Sequence, residues 1–537
     1  MAENCLYYGD NLEVMRKYIK DETIDLIYLD PPFNSQRAYN VIFNDQEGKK
    51  SSAQISAFED TWFWSQETQA AFDEIMTGSY SSELKDMMNA FRDFLGQTNL
   101  MAYITMMAIR LVEMHRTLKD SGILYLHCDP TASHYLKILL DHIFGVQNFR
   151  NEIIWKRAQP KGHAYTRFPS SHDIIFAYAK TKEAPFSVQY KPHDPGYIKK
   201  FYKYVEEETG RRYTLDNLAN PNKDRPNLTY EFPPKSGIVR VWRWTKDRMM
   251  EAWKEGRVIQ PRKGAVVRYK RYLDEMEGTI ISDVWVDIEH LHGSHSETLG
   301  YPTQKPVALL ERIINASSSE GDTVFDPFCG CGTAIDASEK LGRKWIGIDI
   351  THLAIALIKK RIADEYPDTK YDVIGEPRST YAAEELFKQS AFQFEAWAVS
   401  LLGGQPYKST GGGDTGMDGF LYFRDYEEGY HKIILEVKGG KYQPKDVRAL
   451  ARVLERENAP MGVLIALQPP TRGMKKEAAA LGKWDMPGSK KSYPVIQFMT
   501  IEDYFDNRLP DLPDTSETLK RAKRQARNRE KNHPRLL

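Results

Sequence analysis

Residues Thr323 to Ile350, "TVFDPFCGCGTAIDASEKLGRKWIGIDI", read as an apolar strand, a glycine turn, a helix and a second apolar strand. A strand–helix–strand unit this short commits its part of the chain to an alternating α/β architecture. Glycines at 330 and 332 let the backbone turn tightly and leave room for a ligand. The helix that follows offers its first N–H groups to a carboxylate or phosphate. Asp349 closes the second strand, where an acidic group would take a ribose diol. The spacing departs from the full Gly-x-Gly-x-x-Gly dinucleotide fingerprint, so the layout suits a nucleoside cofactor without specifying a dinucleotide.

The same alternation runs through the N-terminal part. "LYYGD" and "NLEVMRKYI" read as a strand end and a helix, "TIDLIYLD" as a buried strand, and 58–119 as helical. "GILYLHCD" and "ASHYLKILLDHIFG" add another strand and helix. At 537 residues the chain exceeds one ordinary core, so two to four domains are expected. Hydrophobic residues at 41% and aromatics at 12% are ample for burial. No run approaches the roughly 20 apolar residues that span a bilayer, and "MAENCLYYGD" lacks a signal peptide's features. A cytoplasmic protein with no membrane association is the expectation. Cys5, Cys128, Cys329 and Cys331 are too few and too scattered for a disulfide framework, and no further ligands stand near Cys329 and Cys331 to complete a zinc site.

The formal net charge of zero hides two basic regions: 151–270 holds 25 Lys and Arg against 13 Asp and Glu, and the last nineteen residues hold eight against one. The first is interleaved with Trp155, Tyr165, Phe168, Tyr178, Trp242, Trp244 and Tyr269, a mixture suited to phosphate contacts and base stacking. No Gly-x-x-x-x-Gly-Lys-Ser/Thr occurs, which argues against ATP-driven translocation by this chain.

"DLIYLDPPFN" places Asp30, Pro31, Pro32 and Phe33 at a strand end, and "YPTQKPVALLERII" precedes the glycine unit. With these three segments together the chain resembles the amino-group DNA methyltransferases, in the circularly permuted beta group whose catalytic tetrapeptide precedes the cofactor loop. The resemblance covers roughly residues 5–375, including "LYLHCDPTASHYLKILLDHIFG" and "RPNLTYEF". It implies a Rossmann-like fold for S-adenosylmethionine, with Asp326, Phe328, Gly330, Gly332 and Thr333 around the cofactor and Asp349 on its ribose. By the same resemblance Thr303, Gln304 and Lys305 flank the methionine part and Asp10 meets the adenine. Asp rather than Ser at position 30 implies adenine N6 as the target, with cytosine N4 as the alternative.

The chemistry of the tetrapeptide agrees. An exocyclic amine conjugated to its ring is a poor nucleophile, and hydrogen bonds from its N–H groups to Asp30 and a proline carbonyl would localise its lone pair. Pro31 and Pro32 restrict φ and lack N–H donors, so they hold that carbonyl as an acceptor. Phe33 offers a face for a base flipped out of double-stranded DNA. The basic region takes the part of target recognition.

A further α/β unit follows. "GGGDTGMDGFLYF" leads into "KIILEVKGGKYQPKDVRALARVLERENAPMGVLIAL", setting Asp418 beside one strand and Glu436 and Lys438 on the same face of the next. Asp418 and Glu436 could hold Mg²⁺, with Lys438 orienting a water for attack on phosphate. The segment resembles the PD-(D/E)xK nucleases of the Mrr-type restriction endonuclease group, with Met417 where the name has proline. Glu395 is a candidate extra acidic member and Asp414 a substitute for Asp418.

The expected domains are 1–150, the catalytic half; 151–295, target recognition; 296–378, the cofactor half; 379–510, nuclease-like; and 511–537, a basic tail. The expected activity is restriction–modification, methylation joined to a type II-like endonuclease; a C-terminal domain that only binds DNA is the alternative. A homodimer is compatible with this reading, and further subunits are unspecified.

Overall fold

A computed structural model of the protein describes residues 3–32, 38–44, 50–59, 64–159, 168–262, 264–291, 297, 304–407, 416–427 and 429–515. Its contacts separate Val188–Ser282 from the rest.

The larger unit is built on a nine-stranded sheet. Its strands are β1 (Asn4–Tyr8), β2 (Ile24–Leu29), β3 (Leu118–Cys128), β4 (Phe149–Lys156), β5 (His172–Ala179), β6 (Val284–Trp285), β7 (Thr323–Asp326), β8 (Lys344–Asp349) and β9 (Tyr371–Ile374). Their order is β6-β4-β5-β3-β2-β7-β8-β1-β9, all parallel to their neighbours except β5, which opposes both β3 and β4. Near-continuous apolar runs such as Leu26–Leu29 are what a strand covered on both faces requires, and Leu26, Ile27 and Leu29 are fully buried. The helix Asn99–Thr117 is buried nearly all round, with Met101, Ile104, Met107, Ile109, Leu111 and Met114 inside.

Beside β2 the chain order reverses: β3 and β5 lie to one side, β7 and β8 to the other. The pairs Val324–Leu26 and Phe325–Ile27 bring the carboxyl ends of β2 and β7 together across about three hundred residues. Such a reversal opens a crevice at the strand ends, where ligands of doubly wound folds bind.

The separate unit begins at Val188, later than the expected boundary at 151. β4, β5 and β6 belong to the central sheet, where their apolar residues Ile153, Trp155, Ile174, Phe176 and Trp285 are buried. Trp155 and Tyr178 are buried there, so neither is placed to stack on a base. Within Val188–Ser282 the strands Val258–Ile259, Arg268–Tyr272, Arg212–Asn217 and Tyr204–Val205 form a sheet of their own. Trp242 is fully buried in that unit's core with Phe232, Met249 and Val267. Phe168, by contrast, is almost wholly exposed.

Residues 379–515 carry a five-stranded sheet of β10 (Gln405–Pro406), β11 (Gly419–Arg424), β12 (Tyr430–Lys438), β13 (Met461–Ala466) and β14 (Ile496–Thr500) in consecutive order. The first three run antiparallel and the last three parallel. Helix Ala391–Leu401 covers one face through Phe394 and Trp397 against Leu435 and Val437. Helix Pro444–Glu457 covers the other through Val447 and Leu450 against Ile434 and Leu464. No helix among the described residues is long and apolar enough to cross a membrane.

Candidate active site

The turn after β7 is shaped by its glycines. Gly330 has φ +49° and Gly332 φ +78°, a region L side chains rarely adopt. A Cβ on Gly332 would also fall 2.7 Å from Ile358 Cγ1. Gly332 is the N-cap of helix Thr333–Lys340, so the turn delivers that helix's free N–H groups to the crevice. The Gly330 N–H donates to Asp349 Oδ2 at 2.9 Å, and Thr351 donates to Oδ1 through its N–H at 2.8 Å and its hydroxyl at 2.7 Å. These bonds fix the carboxylate at the end of β8. Burial nevertheless raises Asp349 to about 6.

A cavity of about 250 Å³ lies at the reversal point. Its wall takes Asp326, Phe328, Gly330 and Thr333 from the glycine turn and helix, and Asp349 from β8. Asp10, Asp30, Pro32, Gln304 and Lys305 complete the set that the sequence brings forward, with Gly332 one residue behind the wall and Pro31 buried. Phe33 and Thr303 lie outside the described residues. Asp326 is buried and accepts from the Phe328 N–H at 3.0 Å. Burial, with the nearby Asp30 and Asp349 carboxylates, pushes it well above the usual carboxylate range.

Two of the lining residues also bond within the protein. Lys305, expected beside the methionine part of the cofactor, donates from Nζ to Asp30 Oδ2. Asp30 Oδ1 is buried with no hydrogen-bond partner among the described residues, and Asp30 lines the cavity. Asp10 caps helix Asn11–Tyr18, accepting from Leu12 N–H at 2.8 Å and Glu13 N–H at 3.3 Å. Its other oxygen receives Arg110 Nη2 at 2.6 Å, so the carboxylate at this wall is already engaged.

Arg110 and Asn11 carry parts that sequence reasoning missed. Arg110 Nε donates to Asn11 Oδ1 at 2.6 Å, and Asn11 Nδ2 donates to the Pro327 carbonyl at 2.9 Å. A buried side-chain chain thus ties helix Asn99–Thr117 to the start of the glycine turn. The available signal was one arginine in the apolar run "LMAYITMMAIRLVEM". All four cysteines are free and buried, and no group of three or more His, Cys, Asp or Glu that could hold a metal occurs among the described residues.

In the five-stranded sheet the antiparallel register sets Asp418 beside Glu436. Asp418 N–H donates to the Leu435 carbonyl at 3.0 Å, and Asp418 Oδ2 accepts from Val437 N–H at 2.6 Å. Lys438 Nζ lies 2.8 Å from Glu436 Oε1, while Glu436 Oε2 is buried without a hydrogen-bond partner among the described residues. Burial raises Glu436 to about 7, partly countered by Lys438. An orphaned carboxylate oxygen next to a second carboxylate fits a hard divalent cation. Glu395 sits on the helix that packs against Leu435 and Val437, the face opposite Glu436. Asp414 lies outside the described residues.

Fold and cavity together define a doubly wound α/β protein with a ligand-sized cavity at its reversal point and the Asp30 carboxylate in the cavity wall. Residues 24–360 match the N6/N4 DNA methylase family, and the chain belongs to it. Residues 390–506 match a second family, the NACHT-associated inactive restriction endonuclease 1. The chain is 26% identical to the type II methyltransferase M.EcaI of Enterobacter cloacae, over 67% of this chain and 69% of that one. It is 24% identical to the type II methyltransferase M.KpnI of Klebsiella pneumoniae over 70% and 91%, and 43% identical to M.HpaI of Haemophilus parainfluenzae over 32% and 51%. The solved PvuII cytosine-N4-specific DNA methyltransferase aligns with 68% of this chain and 89% of its own, at 12% identity and a TM-score of 0.36.

Proposed function

We propose that this chain methylates the N6 amine of adenine in double-stranded DNA with S-adenosylmethionine, and that its C-terminal domain cuts DNA lacking the mark. The observation that carries the first part is Asp30 at the cavity's edge, with one oxygen held by Lys305 and the other buried without a partner among the described residues. S-adenosylmethionine supplies an electrophilic methyl group. Asp349 suits its ribose hydroxyls, and the glycine turn gives its methionine end backbone N–H groups. Asp30 accepts from the target amine and, with the Pro31 carbonyl, turns its lone pair toward the methyl carbon. Lys305 holds the other Asp30 oxygen in place as the amine's charge develops. Asp at position 30 favours adenine over cytosine through the family resemblance.

Asp418 and Glu436 would hold Mg²⁺ and Lys438 would orient the attacking water; Mg²⁺ supplies a Lewis acid for the phosphate. A second reading has observational support: the match to an inactive endonuclease family suits a C-terminal domain that binds DNA without cutting it. The intact Asp418, Glu436 and Lys438 set supports cutting.

Purified protein given labelled cofactor and duplex DNA should yield N6-methyladenine on nucleoside analysis; N4-methylcytosine would overturn the base assignment. Asp30→Ala should lose transfer and still bind S-adenosylhomocysteine. With Mg²⁺ the wild type should cut unmethylated duplex, and Asp418→Ala should methylate without cutting. Absence of cutting by the wild type would establish the binding-only reading.

A further inference from the structure

Beside Asp30 the sheet carries a buried polar row that the proposed transfer leaves unused. Tyr28 Oη stands 3.0 Å from His127 Nδ1, and His127 Nε2 stands 3.2 Å from Asp173 Oδ2. Arg157 Nε ends the row 2.9 Å from Asp173 Oδ1. Strand register puts the row on one face: Tyr28 pairs with Tyr125, so His127, two residues on, falls level with Asp30. Tyr28, His127 and Asp173 are 2%, 0% and 2% exposed. Burying three such groups where apolar residues would pack costs stability, which calls for a reason in function. Trp155 meets the His127 ring edge-on at 5.7 Å and restrains it.

The direction of the hydrogen bonds can be worked out. Burial raises the Asp173 carboxyl, but His127, Lys305 and Arg157 more than offset this and hold it below the usual carboxylate range. An ionised carboxylate only accepts, so the donor is His127 Nε2–H. A ring that carries one proton, on Nε2, accepts at Nδ1, and Tyr28 then donates its single proton to it. The phenol stays protonated, since burial and the Asp30 and Asp326 carboxylates push it well above its ordinary value. Tyr28 lines the cavity together with Asp30 and Pro32, and a phenol that gives its proton to His127 keeps its lone pairs as acceptors.

We infer that His127 and Asp173 are positioning residues that aim the Tyr28 oxygen at the amine to be methylated, where it shares one of the amine's two N–H donors with Asp30 while the Pro31 carbonyl takes the other. This rests on the amine-methylation reading above. Phenol oxygen, carboxylate and carbonyl together draw the amine's protons away from the side on which the methyl group arrives.

Tyr28→Phe keeps the ring and removes the oxygen. Its kcat should fall about 10- to 100-fold, the loss of one hydrogen bond to a group developing charge. The dissociation constant of S-adenosylhomocysteine, measured by calorimetry on the full chain, should stay within about threefold. Asp173→Asn and His127→Leu should lower kcat in the same direction with cofactor affinity retained. An equal loss of cofactor affinity in Tyr28→Phe would assign the oxygen to the cofactor's ammonium group and overturn the inference, as would an unchanged kcat. Nitrogen NMR of the ¹⁵N-histidine-labelled wild type gives a test that no variant's folding can obscure. His127 should carry its proton on Nε2, and a proton on Nδ1 would sink the proposed aim. Failure of the underlying reading looks different, because the wild type itself would then transfer no methyl group to DNA.

Discussion

Asp30, Lys305 and Asp349 show how much a single position can be asked to do. Lys305 donates to Asp30, so Lys305→Met should leave that carboxylate without this cation and this hydrogen bond. Methyl transfer should fall by about tenfold or more with S-adenosylhomocysteine binding changed less, measured by single-turnover kinetics beside calorimetry. Asp349 is raised to about 6 in the folded protein from an ordinary 3.8. Between those values the unfolded chain has lost the proton while the folded chain keeps it, so this group makes stability fall as pH rises from about 4 to 6. A ribose diol binds the ionised form, so cofactor affinity should be full above about pH 7 and weaken as pH drops through 6, approaching tenfold per unit. Calorimetric titration of the wild type against Asp349→Asn checks this, and the variant's profile should be flatter. At this scale the sequence was legible for residue identity and silent about partners. Asp30 and Lys305 stand 275 positions apart, and nothing local joins them.

The elements around the cofactor turn divide into those with a local cause and those without. Gly330 and Gly332 were readable because positive φ is a demand of the backbone itself, met at the residue that needs it. Gly332→Ala adds strain at φ +78° and sets a methyl 2.7 Å from Ile358 Cγ1. It should cost about 1–3 kcal/mol and weaken cofactor binding, read from thermal midpoints with and without S-adenosylhomocysteine. Asp10 was readable as a carboxylate before a helix, but its employment as a cap and as the partner of Arg110 was not. The tie from Arg110 through Asn11 to the Pro327 carbonyl joins two elements distant in sequence. Asn11→Ala leaves a buried guanidinium N–H and a carbonyl unpaired at about 1–3 kcal/mol each at most. It should lower the thermal midpoint and loosen the turn, seen as faster amide exchange at 327–333.

Across the whole molecule the two large sheets bury separate cores. Tyr7, Ile27, Phe325 and Ile348 belong to the nine-stranded sheet, and Leu435, Val463 and Ile465 to the five-stranded one. Calorimetric unfolding should therefore show more than one transition, and S-adenosylhomocysteine should raise the one belonging to the nine-stranded sheet. Equal shifts of every transition would show that the sheets unfold as one. Periodicity made the alternating α/β pattern legible in 1–150, 302–375 and 379–509, because it records which side of each element is buried. It could not show that β4, β5 and β6 leave the basic region to join the central sheet, since an apolar strand specifies burial without naming its neighbour. By itself the sequence determined the chemistry available: a carboxylate before two prolines, a glycine turn, an acid at a strand end and an Asp/Glu/Lys set. Only the tertiary structure decided which of these meet. Parallel pairing of β2 with β7 sets Asp30 near Asp326 and Lys305, and the rows Tyr28–His127–Asp173 and Asn11–Arg110 exist only once strands and helices a hundred residues apart are packed together. Such contacts depend on long-range pairing, which local propensity and side-chain period do not encode.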